Sequence, residues 1–338
     1  MKETQCIVCN ESAKIALEDF NGYSEGEKFD IYYCSSCNTS FAWPHLVVSQ
    51  IYDVIYSNPD IVPGYNRYAL YAKEIISKKN ALDYLASKEP NYYSVREILR
   101  QTNKNAKILE VGSGLGYLTY AVTQSGYDII GLDISMDAVK RAENQFGAHY
   151  VCGDVYQYAL DNPAAFDLVI LTEVIEHLPD PVNFCDALIN LLKPGGKLII
   201  TTPNKSAFPQ HEYWNTELPP VHLTWFSEDS FKMISKQKNL GLSFFDFTNF
   251  NKKHFDNPAF KYHEWYMKRY KIGPTLSKEG KVLQPKDLID DTLIKKIKTN
   301  LKRLVRSIVE PIIIFAFTGK TNRNRSNALC VILEKNSQ

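Results

Sequence analysis

The sequence predicts an α/β protein built on a doubly wound, mostly parallel seven-stranded sheet with helices on both faces. From residue 106 onward, short apolar runs ("AKILEVG", "DIIGLDI", "AHYVCGD", "FDLVILTEV", "GKLIITTPN", "LSFFDFTNF") are separated by helical segments. Such alternation buries a parallel sheet between two helical layers. The first run opens directly into "GSGLG" and a helix, a strand end shaped for close approach of a ligand to the main chain. The terminal "NALCVILEK" has strand character and can return to the sheet.

The chain has 338 residues, enough for a full core and one or two small modules. With 44% hydrophobic and 23% charged residues and a formal net charge of +1, it has an ordinary globular composition and no strong global field for nucleic acid. "MKETQCIVCN" contains no apolar run suited to a signal peptide, so the expected compartment is the cytoplasm, where disulfides are not expected.

The cysteines ask for another explanation. Cys6-x-x-Cys9 is followed by Cys34-x-x-Cys37, two pairs able to sit on tight turns and form the four-sulfur cage that zinc prefers. The first 45 residues hold too little apolar material to fold without such a staple. Four cysteines leave no open coordination position, so the expected zinc is structural. Cys152, Cys185 and Cys330 lie in apolar runs and read as core.

After this module, "FAWPHLVVSQIYDVIYSN" reads as a linker with a short helix, "NRYALYAKEIISKKNALDYLASK" has a helical apolar period, and "YYSVREILRQ" gives a further helix. The helix over 181–192 stops at "LKPGGK". Residues 251–325 break the alternation. They contain "LIKKIKTNLKRLVRSIVEP", with Ile294, Ile297, Leu301, Leu304, Val305 and Ile308 on one face and Lys and Arg on the other, and then "PIIIFAF", far below the ~20 residues of a membrane span.

The chemistry concentrates at strand ends. Gly112, Gly114 and Gly116 are too closely spaced for a dinucleotide fingerprint, and Glu110 just before them would repel a pyrophosphate and suit a cation. The next strand places Asp133 where a carboxylate can accept both ribose hydroxyls, and the third places Asp154 near the same crevice. Acids at three successive tips, without a phosphate-loop lysine, describe a nucleoside that carries an amine or sulfonium and no phosphates.

With these motifs in order, residues 106–250 and the final strand resemble a class I S-adenosylmethionine-dependent methyltransferase. The resemblance implies Gly112, Ser113, Gly114 and Gly116 beside the methionine and ribose, Glu110 near the amino group, and Asp133 on the ribose hydroxyls. It further implies Asp154 on the adenine amine with Val155 beside it, and Ile134 and Thr172 as further cofactor contacts. The expected domains are a zinc ribbon (1–45), a helical linker and cap (46–105), the cofactor-binding core (106–250), a basic helical insert (251–325) and a final strand with tail (326–338).

"FDLVILTEVIEHLPDP" resembles the family's signature after the fourth strand. Glu173, Glu176 and His177 share one turn, and His222 in "LPPVHLTWFS" follows the fifth strand on the same side. Two carboxylates and two imidazoles could bind magnesium or another divalent ion. The quartet resembles that of RNA 3′-end 2′-O-methyltransferases and, in its Glu-x-x-Glu-His part, of quinone-biosynthesis O-methyltransferases, which hold a metal there. Many small-molecule methyltransferases carry "EVIEH" without metal, the first acid near the cofactor and the histidine a base or anchor. His177, His222 and Glu173 are therefore the candidate catalytic residues. His222 could equally cap the segment before "WFSEDSF", where Ser227 is a helix N-cap candidate.

The zinc module, "TPN", "PPVHLTWFS" and the long insert look like methyltransferases of bacterial surface-polysaccharide and deoxysugar pathways. The first expectation is thus O-methylation of a hydroxyl on a sugar or on a nucleotide-linked or lipid-linked glycan, with Tyr65, Arg67 and Tyr68 as a lid. Alternatives are a metal-dependent RNA or quinone-type O-methyltransferase, a sugar C-methyltransferase, and an inactive methyltransferase-fold scaffold. For the basic helix 294–308 the first reading is a solvated face, then a peripheral contact with the inner membrane face, then RNA binding, which overall neutrality disfavours.

Overall fold

The computed structural model describes residues 3–147, 149–208, 210, 213, 217–254, 274–283 and 324–337. The expected basic helix 294–308 and "PIIIFAF" lie outside the described residues. Among the described residues, no helix is long and apolar enough to cross a membrane.

The N-terminal module is a meander of β1 (Glu3–Gln5), β2 (Ser12–Asn21), β3 (Lys28–Cys34) and β4 (Thr39–Trp43). "FAW" therefore belongs to β4 and not to a linker: Phe41, Ala42 and Trp43 pair with Tyr32, Ile31 and Asp30 of β3, and Phe41 and Ala42 are buried. A cap of four helices follows: α1 (Ser49–Ser57), α2 (Asn66–Ile75), α3 (Ala81–Ala86) and α4 (Pro90–Arg100). The periodic stretch expected as one segment is split between α2 and α3 at the polar "SKKN", where the Ser77 hydroxyl bonds the Glu74 carbonyl and competes with the helix ladder. Proline opens α4 at its first position, where its missing N–H costs nothing.

The core then alternates as expected. β5 (Lys107–Val111), α5 (Tyr117–Gln124), β6 (Asp128–Asp133), α6 (Met136–Phe146), β7 (Tyr150–Cys152), α7 (Val155–Asp161), β8 (Phe166–Thr172), α8 (Pro181–Leu191) and β9 (Leu192–Pro203) follow one another. Beyond them come β10 (Thr224–Trp225), α9 (Glu228–Lys238), β11 (Gly241–Phe244), α10 (Thr248–His254) and β12 (Ala328–Glu334). The large sheet has the order β11-β12-β9-β8-β5-β6-β7. Strands β9, β8, β5, β6 and β7 are parallel, and β12 is inserted antiparallel between β11 and β9. Leu109, Val169, Leu171 and Ile200 face one helical layer, and Ile108, Ile170 and Ile199 the other, as a sheet buried on both faces requires.

The chain runs outward from β5 through β6 to β7 and then crosses to β8 and β9 on the other side. The strand order reverses between β5 and β8, and a crevice opens at the carboxyl ends there. β10 departs from the expected boundaries. It leaves the core region and pairs antiparallel with β4, Thr224 with Phe41 and Trp225 with Ser40, so the N-terminal sheet has five strands, the last supplied by the core. Its neighbour α9 begins with Ser227 as the expected N-cap, in a reciprocal capping pair with Ser230.

Candidate active site

A cavity of about 420 Å³ fills the crevice, within the size range of small-molecule sites. One half is built from the tips of β5, β6 and β7. Glu110, the penultimate residue of β5, is buried, and its Oε2 accepts from Thr119 Oγ1 on α5 at 2.5 Å. Burial pushes its carboxyl up to about 8. Asp133 ends β6, accepting from the Gly114 N–H through Oδ2 (2.7 Å) and from the Ser135 N–H through Oδ1 (2.8 Å), and burial raises its pKa as well. Asp154 caps α7, accepting from the Tyr156 and Gln157 N–H groups through Oδ1 alone, at 2.7 and 3.3 Å. Two buried acids raised by desolvation form a site short of positive charge, which a cationic ligand relieves.

The glycines divide in role. Gly114 (φ +49°) lines the cavity, and a Cβ there would meet nothing within 4 Å, so the missing side chain leaves ligand space. Gly116 (φ +78°), expected at the cofactor, does not line the cavity. A Cβ on it would strike Ala142 and Tyr150 at 2.5 and 2.8 Å, and its carbonyl accepts from the Tyr150 hydroxyl at 2.6 Å. Its task is to seat α5 against α6 and β7. Gly112, Ser113, Ile134, Val155 and Thr172 all line the cavity. The Ser113 hydroxyl is buried without a hydrogen-bond partner among the described residues, and Ile134 stands 75% exposed beside the cavity. An orphaned hydroxyl, an open glycine and an exposed isoleucine fit the S-adenosylmethionine that the sequence implied.

The other half is assembled from distant segments, of which Glu173 and His177 line the cavity while the buried Glu176 and His222 do not. Glu173, with a left-handed backbone (φ +54°), follows β8 and lines the cavity, and its Oε1 accepts from Thr201 Oγ1 at 3.1 Å. Burial pushes it up to about 7, opposed by the Thr201 bond and by Arg67. Glu176 is 1% exposed. Its Oε2 accepts from Thr202 Oγ1 at 3.0 Å, and its Oε1 is buried without a hydrogen-bond partner among the described residues, 4.0 Å from both His177 Nε2 and His222 Nε2. Burial, reinforced by Glu173, raises its pKa strongly. His177 Nδ1 lies 2.6 Å from the Val221 carbonyl and 3.2 Å from the Tyr52 hydroxyl. A carbonyl only accepts, so Nδ1 carries the proton and Nε2 presents its lone pair toward Glu176. Burial lowers both imidazoles to about 3, His177 further by His222 and His222 further by Arg67.

Glu176, His177 and His222 thus bring one ligand atom each within 4.8 Å of one another. Glu173, expected as a fourth member, stays outside this group because Thr201 holds its carboxylate. An orphaned buried carboxylate oxygen facing two neutral imidazole nitrogens fits a divalent cation, with Thr202 and the Val221 carbonyl orienting the ligands from behind. Sequence reasoning missed the two threonines, which "ITTPN" placed in plain view, and the aromatic wall of Tyr52, Tyr56, Tyr92 and Tyr117. Of the expected lid, Tyr65 and Tyr68 line the cavity, whereas Arg67 turns to Glu89 (3.3 Å) and the Tyr68 hydroxyl (2.7 Å).

The four cysteines meet as expected, with Sγ–Sγ distances of 3.5 Å for Cys6–Cys37 and Cys9–Cys34 and all four within 4.8 Å. Burial and the neighbouring sulfurs push the Cys9 thiol up to about 12. Such a cluster becomes thiolate only with a cation at its centre, which fits structural zinc.

Residues 85–242 match the family model described as a methyltransferase domain. By this match the segment is similar to methyltransferase domains. Similar curated proteins include the ubiquinone biosynthesis O-methyltransferases of Xylella fastidiosa, 33% identical over 106 residues, and of Xanthomonas campestris pv. campestris, 35% identical over 106 residues. The matches cover 30% of this chain and 43% and 44% of those proteins, so the chain spans less than half the length of these relatives. Among solved structures, a SAM-dependent methyltransferase from Archaeoglobus fulgidus matches at 16% identity and a TM-score of 0.43, covering 79% of this chain and 99% of that one. The matched segment begins within α3 and ends in β11, so it contains Glu110, Asp133, Glu173, Glu176, His177 and His222 but neither the cysteine module nor the cavity-lining Tyr52, Tyr56, Tyr65 and Tyr68.

Proposed function

We propose that the protein transfers the methyl group of S-adenosylmethionine to a hydroxyl of a small, ring-shaped phenolic acceptor of the kind met in quinone synthesis. The observation that carries this is the Glu176, His177 and His222 group adjoining a tyrosine-walled cavity whose other half suits the cofactor. The relatives named for ubiquinone biosynthesis support the quinone-type alternative, and nothing in the comparisons supports the sugar or glycan acceptor expected first. Tyr52, Tyr56, Tyr65, Tyr68 and Tyr92 line the cavity and give it an aromatic wall that suits a planar ring. Glu110, Ser113, Gly114, Asp133 and Asp154 lining one cavity support an enzyme over a scaffold.

The acceptor oxygen attacks the methyl carbon in line, the carbon–sulfur bond breaks with its electron pair moving to sulfur, and the hydroxyl proton leaves for a base. Alignment of oxygen and carbon at about 3 Å supplies several kcal/mol. The imidazoles, lowered to about 3, are poor proton acceptors, which moves the role of base away from the histidines. Glu173, at about 7 and on the cavity wall, is matched to neutral pH and takes the proton. A divalent ion held by Glu176, His177 and His222 would lower the pKa of the acceptor hydroxyl and orient it.

The test is methyl transfer from labelled cofactor to a panel of dihydroxylated phenols, nucleotide sugars and short RNAs, with and without chelator. Label in the phenols, lost with chelator, is the expected result. Label confined to nucleotide sugars or RNA overturns the acceptor class, and no transfer to any member revives the scaffold reading.

A further inference from the structure

The segment that carries His222 is tied to the cysteine module on both sides. Upstream, the Tyr23 N–H in the turn between β2 and β3 donates to the Pro219 carbonyl at 2.7 Å. Downstream, the Ala42 N–H of β4 donates to the Leu223 carbonyl at 2.9 Å, and Thr224 and Trp225 continue as the fifth strand of the module's sheet. Between these ties, the Val221 carbonyl fixes His177 and the Leu223 N–H donates to the Glu176 carbonyl at 2.8 Å. Three consecutive residues therefore hold one imidazole, carry the second and hold the turn of the carboxylate.

The cysteine cluster grips the same segment. The Cys37 carbonyl accepts from the Ser227 and Ser230 hydroxyls at 3.1 and 3.3 Å. Thr39 Oγ1 lies 3.1 Å from Cys37 Sγ and 2.7 Å from Ser230 Oγ, and the Asn38 amide donates to Asp229 at 2.6 Å. A cysteine ligand, its loop and the start of α9 form one buried unit, five residues beyond His222. Among the described residues the cofactor half shares none of these ties: the side-chain hydrogen bonds of Glu110, Asp133 and Asp154 stay within β5 to α7.

We propose that the four-cysteine module positions His222 and His177, so that the metal at the cysteines sets the geometry of the Glu176, His177 and His222 site and not that of the cofactor site. This rests on the reading of both groups as metal sites. Cys6, Cys9, Cys34 and Cys37 are then a positioning device, acting through β4, and the module supports the His222 segment without lining the cavity itself.

The test compares the zinc-loaded wild type with Cys37→Ser and with the milder Asn38→Gly/Thr39→Val, which keeps all four cysteines and the left-handed backbone at position 38 (φ +53°). Two readouts are taken from each protein: S-adenosylhomocysteine affinity by calorimetry, and Mn²⁺ affinity by electron paramagnetic resonance, a hard ion that avoids the sulfur cage. Nitrogen chemical shifts of labelled histidine report the His177 tautomer with no metal at the second site. The expected result is cofactor-product affinity within about threefold of wild type, Mn²⁺ affinity weakened at least about tenfold, and loss of the single Nδ1–H tautomer of His177. Unchanged Mn²⁺ affinity and tautomer in both variants would overturn the proposal, as would equal losses at both sites in the double variant. If the wild type binds no Mn²⁺, the second-site reading fails by itself, and the tautomer still decides whether the module positions the histidines. Should Cys37→Ser not fold, the double variant carries the comparison alone.

Discussion

The two halves of the cavity are built in opposite ways. The cofactor half comes from successive strand ends of one parallel sheet: Glu110, Asp133 and Asp154 lie 23 and 21 residues apart, each just past or at the tip of a neighbouring strand. The other half joins a turn after β8, threonines at the end of β9 and a segment more than 40 residues beyond that turn, pinned by a sheet from the far N-terminus. The first is local architecture repeated, and the second is a tertiary assembly. A cradle of the first kind tolerates damage elsewhere in the molecule, whereas a site of the second kind fails when any of its supports fails.

The largest expected effect breaks the second half alone. Glu173→Gln removes the base and is expected to lower kcat by about 10² to 10⁴ with S-adenosylhomocysteine affinity unchanged. Glu176→Gln should abolish Mn²⁺ binding in the same assay while leaving the calorimetric cofactor titration intact. Loss of cofactor affinity in either variant would show that the halves are not separable.

A smaller effect breaks the first half. Asp133→Ala removes an acceptor that also holds the Gly114 loop, and cofactor affinity should fall about 10- to 100-fold, with turnover at saturation retained. Measuring KM against kcat separates this from a general loss of folding.

The cofactor half should also carry a pH signature. Glu110 is pushed up to about 8 in the free protein, and a cationic amino group beside it favours the carboxylate. Affinity for S-adenosylmethionine should therefore rise with pH, by up to about tenfold per unit, and level off above about 8, with proton release on binding seen by calorimetry in buffers of different ionisation enthalpy. Without ligand the sign for stability is opposite. The raised folded-state pKa means that Glu110 contributes stability fully below its unfolded value, lost as pH climbs through about 8. The melting temperature of the free protein should decline over that window, and saturating cofactor should reverse part of the decline.

The smallest expected effect lies at the junction of the two regions. Ser227→Ala removes the cap of α9 and a bond to the Cys37 carbonyl, and should cost about 1 kcal/mol in denaturant unfolding. A change in cofactor affinity from this substitution would contradict the independence of the first half.

Much of this molecule was legible before any coordinates. The strand run from 106, the return of "NALCVILEK" to the sheet, the cysteine cage, Glu110 and Asp133 all follow from periodicity, spacing and charge, because each is settled within one strand–helix unit or one pair of turns. Gly116 was misread because spacing shows only that a glycine is needed, and it was needed for packing against Ala142 and Tyr150. Glu173 was grouped with Glu176 and His177 by proximity in sequence, yet a left-handed residue and the Thr201 bond turn its carboxylate elsewhere.

By itself, then, the sequence determined the fold class, the strand-end positions of Glu110 and Asp133 and the four-cysteine cluster, since hydrophobic period and local backbone freedom are properties of neighbours along the chain. Only the tertiary structure decided which acid joins the two histidines, which acid lies on the cavity wall with its carboxyl raised by burial, and that the N-terminal sheet takes its fifth strand from the core. Those outcomes depend on burial and on hydrogen bonds between segments up to about 200 residues apart, and desolvation has no value until the chain has closed around the group it acts on.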